Sequence, residues 1–236
     1  MASAGASIPM GGPLLLVFFR QLYYTGVQSA GIVMLLAALA GGGFVLTLQA
    51  SLPIGLATVL ELLASLMAKV LGVVFTLLVL AARSVSAIST ELALVQVSGE
   101  RTTLERLGVD SRLYLVLPRV LAPALSGAVL YLYFVFTALL VGALVSNQTF
   151  DVWELMQIYR SLDPLQILLG LLRTSLFTAL ALAFVLRFSI RRARRLPDIP
   201  LAASNGVFQA IVVMLLLEFS YQLLLRAITL AAVAAP

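Results

Sequence analysis

The sequence predicts an all-α membrane protein: an interfacial N-terminal helix, then five transmembrane helices, with a long cytoplasmic helical loop between the second and third spans. Three observations point there. Apolar residues make up 62% of the chain and charged residues 11%, against roughly 45–50% and 25% in a soluble domain. A single soluble core of 236 residues cannot hide that much apolar surface. Five stretches reach the roughly 20 mostly apolar residues that a spanning helix needs, and the arginines gather in the short segments between them.

Residues 1–13 are small and uncharged and are read as a flexible tail. They lack the basic start of a secretory signal peptide. The 14–25 stretch mixes apolar residues with Arg20, Gln21 and two tyrosines, which suits a helix lying along the membrane surface. Val27 to Ala50 is the first span and carries no charge. Gly41, Gly42 and Gly43 lie inside it, where they permit close helix packing or a bend. Pro53 and Gly55 mark a tight turn. Leu56 to Ala82 is the second span, containing Glu61 and Lys69 and ended by Arg83.

Residues 84–118 form an amphipathic region of mixed charge. Within it Ser98 is expected to cap a short helix, with Glu100 in its first turn, Leu104 and Leu107 on one face and Gly108 as its stop. Asp110 is expected to cap a further turn running to Pro118. Val120 to Asn147 is the third span. An acidic loop, 148–163, leads to the fourth span, Pro164 to Leu186, which Arg173 interrupts. Arg187, Arg191, Arg192, Arg194 and Arg195 form a basic cluster, and the fifth span lies within Ile199 to Leu230, with Glu218 and Arg226. The whole chain, 1–236, reads as one transmembrane domain.

Lys and Arg concentrate in cytoplasmic loops. Arg20, the 83–119 segment and the 187–195 cluster hold most of the 15 basic residues and fall on one side under a five-span count. The N-terminus is therefore expected in the cytoplasm and the C-terminus outside. This clustering fits membrane topology better than nucleic-acid binding. The chain has no Cys and no His, which removes thiolate and imidazole chemistry. It also has no Gly-rich phosphate loop. No metal site, no cofactor and no catalytic residue are expected, and any pumping must draw its energy from a partner.

The 84–118 region is more than a connector in this reading. Its charge and its apolar face, set against the ends of the spans, suit docking of a soluble partner; a surface helix that shields the bundle is the plainer alternative. The residues here carry a resemblance. Ala82-Arg83-Ser84-Val85-Ser86-Ala87-Ile88-Ser89-Thr90-Glu91-Leu92, then Val97-Ser98-Gly99-Glu100, Leu107-Gly108-Val109-Asp110 and Tyr114-Leu115-Val116-Leu117-Pro118-Arg119 resemble the MlaE/YrbE family of ABC-transporter permeases over nearly 40 residues without a gap. Gly43 to Gln49, Ile199-Pro200, Gly206-Val207 and Glu218-Phe219 add weaker echoes. The family's Arg-Glu-x-Gly-Pro run in the second span reads Lys69-Val70-Leu71-Gly72-Val73 here, with the base kept and the acid and proline lost. The chain is thus similar to a divergent member.

The resemblance implies a multi-pass protein of the bacterial inner membrane, with a periplasmic C-terminus. It implies a homodimer that binds a cytoplasmic ABC ATPase through the 84–118 coupling region and works with a periplasmic MCE-domain protein. The cargo implied is phospholipid or another hydrophobic molecule, moved between the inner and outer membranes. Glu91, Ser98, Glu100, Glu105, Arg106 and Asp110 are the candidates for ATPase coupling, against solvated loop charge. Lys69, Gln49 and Glu218 are the candidates for lipid binding. An ammonium in a desolvated site suits an anionic headgroup; alternatively Lys69 pairs with Glu61 or Glu218, or snorkels to an interface. Arg173 is expected to pair with Glu218 or Glu61. Two other functions stay open: an ion-coupled secondary transporter that uses Glu61, Lys69 and Glu218 as a proton relay, and a membrane scaffold that transports nothing. The lack of an internal repeat weighs against the relay.

Overall fold

Nothing interrupts the chain between Pro13 and Pro53 that could end a helix, and α1 accordingly runs unbroken over Gly11–Ser51. The computed structural model describes residues 11–51, 55–99, 106, 116–146, 156, 159, 162–188 and 197–234. The 14–25 stretch and the first span are therefore one helix, because a lone Gly26 does not break it. The second span is longer than expected too. α2 (Leu56–Leu66), a π-turn (Met67–Leu71), α3 (Gly72–Leu80), a second π-turn (Ala81–Val85) and α4 (Ser86–Ser98) form one continuous rod. Arg83 does not end it. Its guanidinium instead donates to the Gln28 backbone carbonyl and, at 2.8 Å, to the Gln28 side-chain oxygen, so α1 absorbs the charge and the helix continues.

The rod ends where its backbone requires glycine. Gly99 takes φ 75°, a left-handed conformation that a glycine adopts without a Cβ penalty. Ser98 is thus the last residue of α4 rather than the first cap of a new helix, and its hydroxyl donates back to the Val95 carbonyl at 3.2 Å. α5 (Leu117–Val145) opens with Pro118 in its first turn, where the missing N–H costs nothing. α6 (Pro164–Phe188) follows a bonded turn in which Asp163 accepts from the Leu165 N–H at 3.0 Å. α7 (Asp198–Ala234) completes the bundle.

Among the described residues there is no strand, and five helices are long and apolar enough to cross a membrane: Leu15–Ser51, Leu56–Ser98, Leu117–Val145, Pro164–Arg187 and Asp198–Ala232. α5 sits at the centre. It buries most of its circumference and leaves a narrow apolar stripe exposed through Leu121, Leu125, Val129 and Tyr133. α1 meets it with a ridge of small residues at every fourth position, Thr25, Ser29, Val33, Ala37, Gly41 and Val45, all buried. Gly41 makes the closest approach: a Cβ there would stand 2.1 Å from the Ala138 carbonyl oxygen. Small residues at such crossings let backbones pack where lipid supplies no hydrophobic drive. Gly43 faces open space and has no such role. The last turns of α7, Leu223 to Leu230, expose apolar side chains throughout, which is stable only in an apolar solvent.

Candidate functional site

The spans bury polar groups in one place in particular, around the first π-turn. There the Gly72 N–H bonds to the Met67 carbonyl, five residues back. In an α-helix it would bond to Ala68 instead. The freed Ala68 carbonyl accepts from the Tyr131 hydroxyl of α5 at 2.7 Å. The next carbonyl, that of Lys69, accepts from the Arg173 guanidinium of α6 and from the Gln222 amide of α7 at 3.4 Å. Three helices thus converge on two consecutive carbonyls of a fourth.

Tyr131 reaches its carbonyl because two glycines clear the way. A Cβ on Gly170 would lie 2.3 Å from the Tyr131 hydroxyl, and one on Gly72 would lie 3.1 Å from the ring. Arg173 is 8% exposed and Glu218 4%. Their Nε and Oε2 atoms stand 3.3 Å apart as an ion pair. Gln222 also donates to Glu218 at 2.8 Å. The Tyr221 ring covers the guanidinium, 4.4 Å from its centroid. The network neutralises charge where an unpaired ion would be costly.

The expected pairing of Arg173 with Glu218 is therefore present. It redefines Glu218, whose carboxylate is already occupied by protein groups rather than open to a headgroup. Lys69 presents the opposite picture. Its backbone is locked into the cluster while its side chain is exposed on the surface of the bundle. Among the described residues no carboxylate lies within ion-pairing distance of it. Glu61 is likewise exposed. Gln49 lies close to the end of α1, exposed, and takes no part in the hydrogen bonds of the cluster.

At the far end of the rod the coupling candidates divide. Glu91 bonds to Arg119 at 3.0 Å, tying α4 to the start of α5. The glutamate side chain stays 55% exposed, while the arginine is 12% exposed. Ala93 packs with Ala202 in a small apolar cluster edged by Val97 and Ile199, tying α4 to the start of α7. Arg106 is helical and exposed. Glu100, Glu105 and Asp110 lie outside the described residues. Sequence reasoning missed Tyr131, Gln222 and the π-turn. A tyrosine and a glutamine inside apolar spans are the signals that could have found the first two.

Comparison with known proteins gives a consistent picture. The profile of a family described as Permease MlaE matches residues 18–224. The chain is also similar to Protein TRIGALACTOSYLDIACYLGLYCEROL 1, chloroplastic, of Arabidopsis thaliana, with 30% identity over 166 residues. That match takes in 68% of this chain and 47% of the relative, so the chain spans about half the length of the curated protein it matches.

Proposed function

The chain belongs to the MlaE permease family, and we propose that it is the membrane subunit of an ATP-driven transporter of phospholipid or a similar hydrophobic molecule. In this reading it works as a homodimer in a bacterial inner membrane, with a separate cytoplasmic ABC ATPase and a periplasmic MCE-domain protein. It carries lipid between the inner and outer membranes. Lys69 meets the anionic headgroup, and the 84–118 region takes the push of the ATPase.

The observation that carries the reading is the rod. Its 43 residues from Leu56 to Ser98 extend about 65 Å at 1.5 Å per residue, about twice the hydrocarbon thickness of a bilayer. One continuous helical rod therefore joins Lys69 to Glu91. Its far end is tied to α5 through Arg119 and to α7 through Ala202. A force applied to α4 reaches both helices, and along the rod it reaches the π-turn. Name and family point the same way, since the relative in Arabidopsis bears the name of a glycolipid.

Purification from native membranes tests this. The tagged chain should bring with it an ATPase carrying a phosphate-binding loop, and Glu91→Arg combined with Glu100→Arg should release it. Undiminished lipid traffic from a chain that binds no ATPase would overturn the proposal. So would transport in vesicles that follows a pH gradient without ATP, the outcome expected of a relay.

A further inference from the structure

The rod buries its residues mainly in pairs at a regular step, with Val79 buried as well beside Leu80-Ala81. The pairs recur every four residues from Val59-Leu60 to Met67-Ala68, and again from Gly72-Val73 to Leu92-Ala93. Between Met67-Ala68 and Gly72-Val73 the step is five. That is where the first π-turn lies; across the second, Ala81–Val85, the step stays at four. One residue is about 100° of rotation in an α-helix. With α-helical geometry throughout, the extra residue would turn the buried face of α2 about 100° away from that of α3. The first π-turn absorbs it, so both segments face the bundle.

A π-turn gives up α-helical bonds and needs replacements for them. Here a side chain takes the Ala68 carbonyl that the Gly72 N–H has left, and further side chains bond to the next carbonyl. Tyr131 takes the Ala68 carbonyl, and Arg173, with Gln222 beside it, takes that of Lys69. Tyr131 is held between Gly72 and Gly170, and Arg173 by Glu218 and Tyr221. Lys69 is part of the turn itself.

We propose that Tyr131 and Arg173 are positioning residues that hold the π-turn open and thereby aim the Lys69 ammonium outward, at the anionic headgroup of a lipid. This rests on the reading of Lys69 given above. Without the two side-chain bonds the turn relaxes to α-helix, α2 rotates against α3, and the ammonium leaves its place.

The chain has no cysteine, so spin labels go where they are wanted. One pair, Leu62→Cys with Leu140→Cys, lies on exposed positions of α2 and α5. A control pair, Ala82→Cys with Leu125→Cys, lies on the other side of the π-turn from α2. Distances are measured by pulsed electron spin resonance on the full chain in nanodiscs of phosphatidylglycerol and phosphatidylcholine. The background is changed by Tyr131→Phe with Arg173→Lys, which keeps ring and charge but removes the hydroxyl and the guanidinium fork. We expect the first distance to change by up to about 8 Å, the chord swept by a side chain about 5 Å from the helix axis when the helix turns by about 100°. The control distance should hold. Retention of phosphatidylglycerol over phosphatidylcholine should fall as far as it does in Lys69→Ala.

An unmoved first distance overturns the proposal, whatever the lipid does. A moved distance with full lipid retention, where Lys69→Ala loses it, overturns it as well. Lys69→Ala alone, with retention unchanged, overturns the headgroup reading and with it the aim assigned to the turn, even if the label moves.

Discussion

Arg173 of α6 and Glu218 of α7 face each other at 3.3 Å inside the bundle, and each has a second hold: Arg173 on the Lys69 carbonyl, Glu218 on the Gln222 amide. A pair so enclosed is expensive to halve. Removing one partner of a buried pair costs about 3–5 kcal/mol, because the other is left uncompensated, whereas replacing both by apolar groups is often close to neutral. Glu218→Leu should therefore destabilise the protein strongly. Arg173→Leu with Glu218→Leu should recover a large part of the loss, short of the bond to Lys69. Unfolding in mixed detergent micelles, followed by circular dichroism, measures the difference. A double variant no better than the single one would show that the pair is not the unit.

The α1–α5 crossing predicts a contrast between two neighbouring glycines. Gly41→Ala places a methyl 2.1 Å from the Ala138 carbonyl oxygen, which forces the helices apart. Overpacking of this kind costs about 1–3 kcal/mol. Gly43→Ala meets nothing within 4 Å and exchanges a poor helix former for a good one, a gain of up to about 1 kcal/mol. Thermal melting of the two variants should move in opposite directions.

The features legible in the sequence were those carried by local composition. Five apolar stretches separated by arginine clusters gave five spanning helices, and the uncharged Gly41 could be read as a packing residue before its contact with Ala138 was known. Helix ends were less legible. Arg83 looks like a stop because an arginine at membrane depth is costly, and only the distant Gln28 shows why it is tolerated. Gly99 lies in a run of small and polar residues where a start and a stop look alike, and its positive φ decides the matter. The π-turn was hidden more deeply. Nearly every residue from Leu56 to Ala82 is apolar, so a step of five in place of four leaves no mark in the hydropathy. It emerges only once burial shows which of those apolar residues face inward.

The bond between Glu91 and Arg119 sets a test of docking against bracing. Glu91 is 55% exposed but Arg119 only 12%, so Arg119→Glu alone, which sets two carboxylates side by side in a mostly buried place, should lower the melting temperature. If Glu91 serves only to brace α4 against α5, exchanging the charges, Glu91→Arg with Arg119→Glu, restores the tie and with it full function. If the exposed carboxylate also meets the ATPase, the exchanged variant folds, keeps its melting temperature and still fails to bring the ATPase down. Co-purification measured beside thermal stability separates the two, and we expect stability to return without binding.

Lys69 is where the proposed headgroup contact is tested most directly. Its side chain is exposed, and among the described residues no carboxylate forms an ion pair with it. An ammonium so placed attracts an anion, and a poorly hydrated setting strengthens the attraction. Lys69→Ala should lower the share of anionic phospholipid retained on purification about tenfold, the factor that corresponds to one modest charge contact. Lys69→Arg should keep most of it, since the charge survives although the shape of the donor changes. Lys69→Glu should reverse the preference in favour of zwitterionic lipid. Mass spectrometry of lipids extracted from the purified protein reads all three. The order wild type, Arg, Ala, Glu identifies an electrostatic contact with the headgroup. A profile in which Ala retains as much anionic lipid as the wild type would mean that the ammonium merely meets the bulk membrane surface.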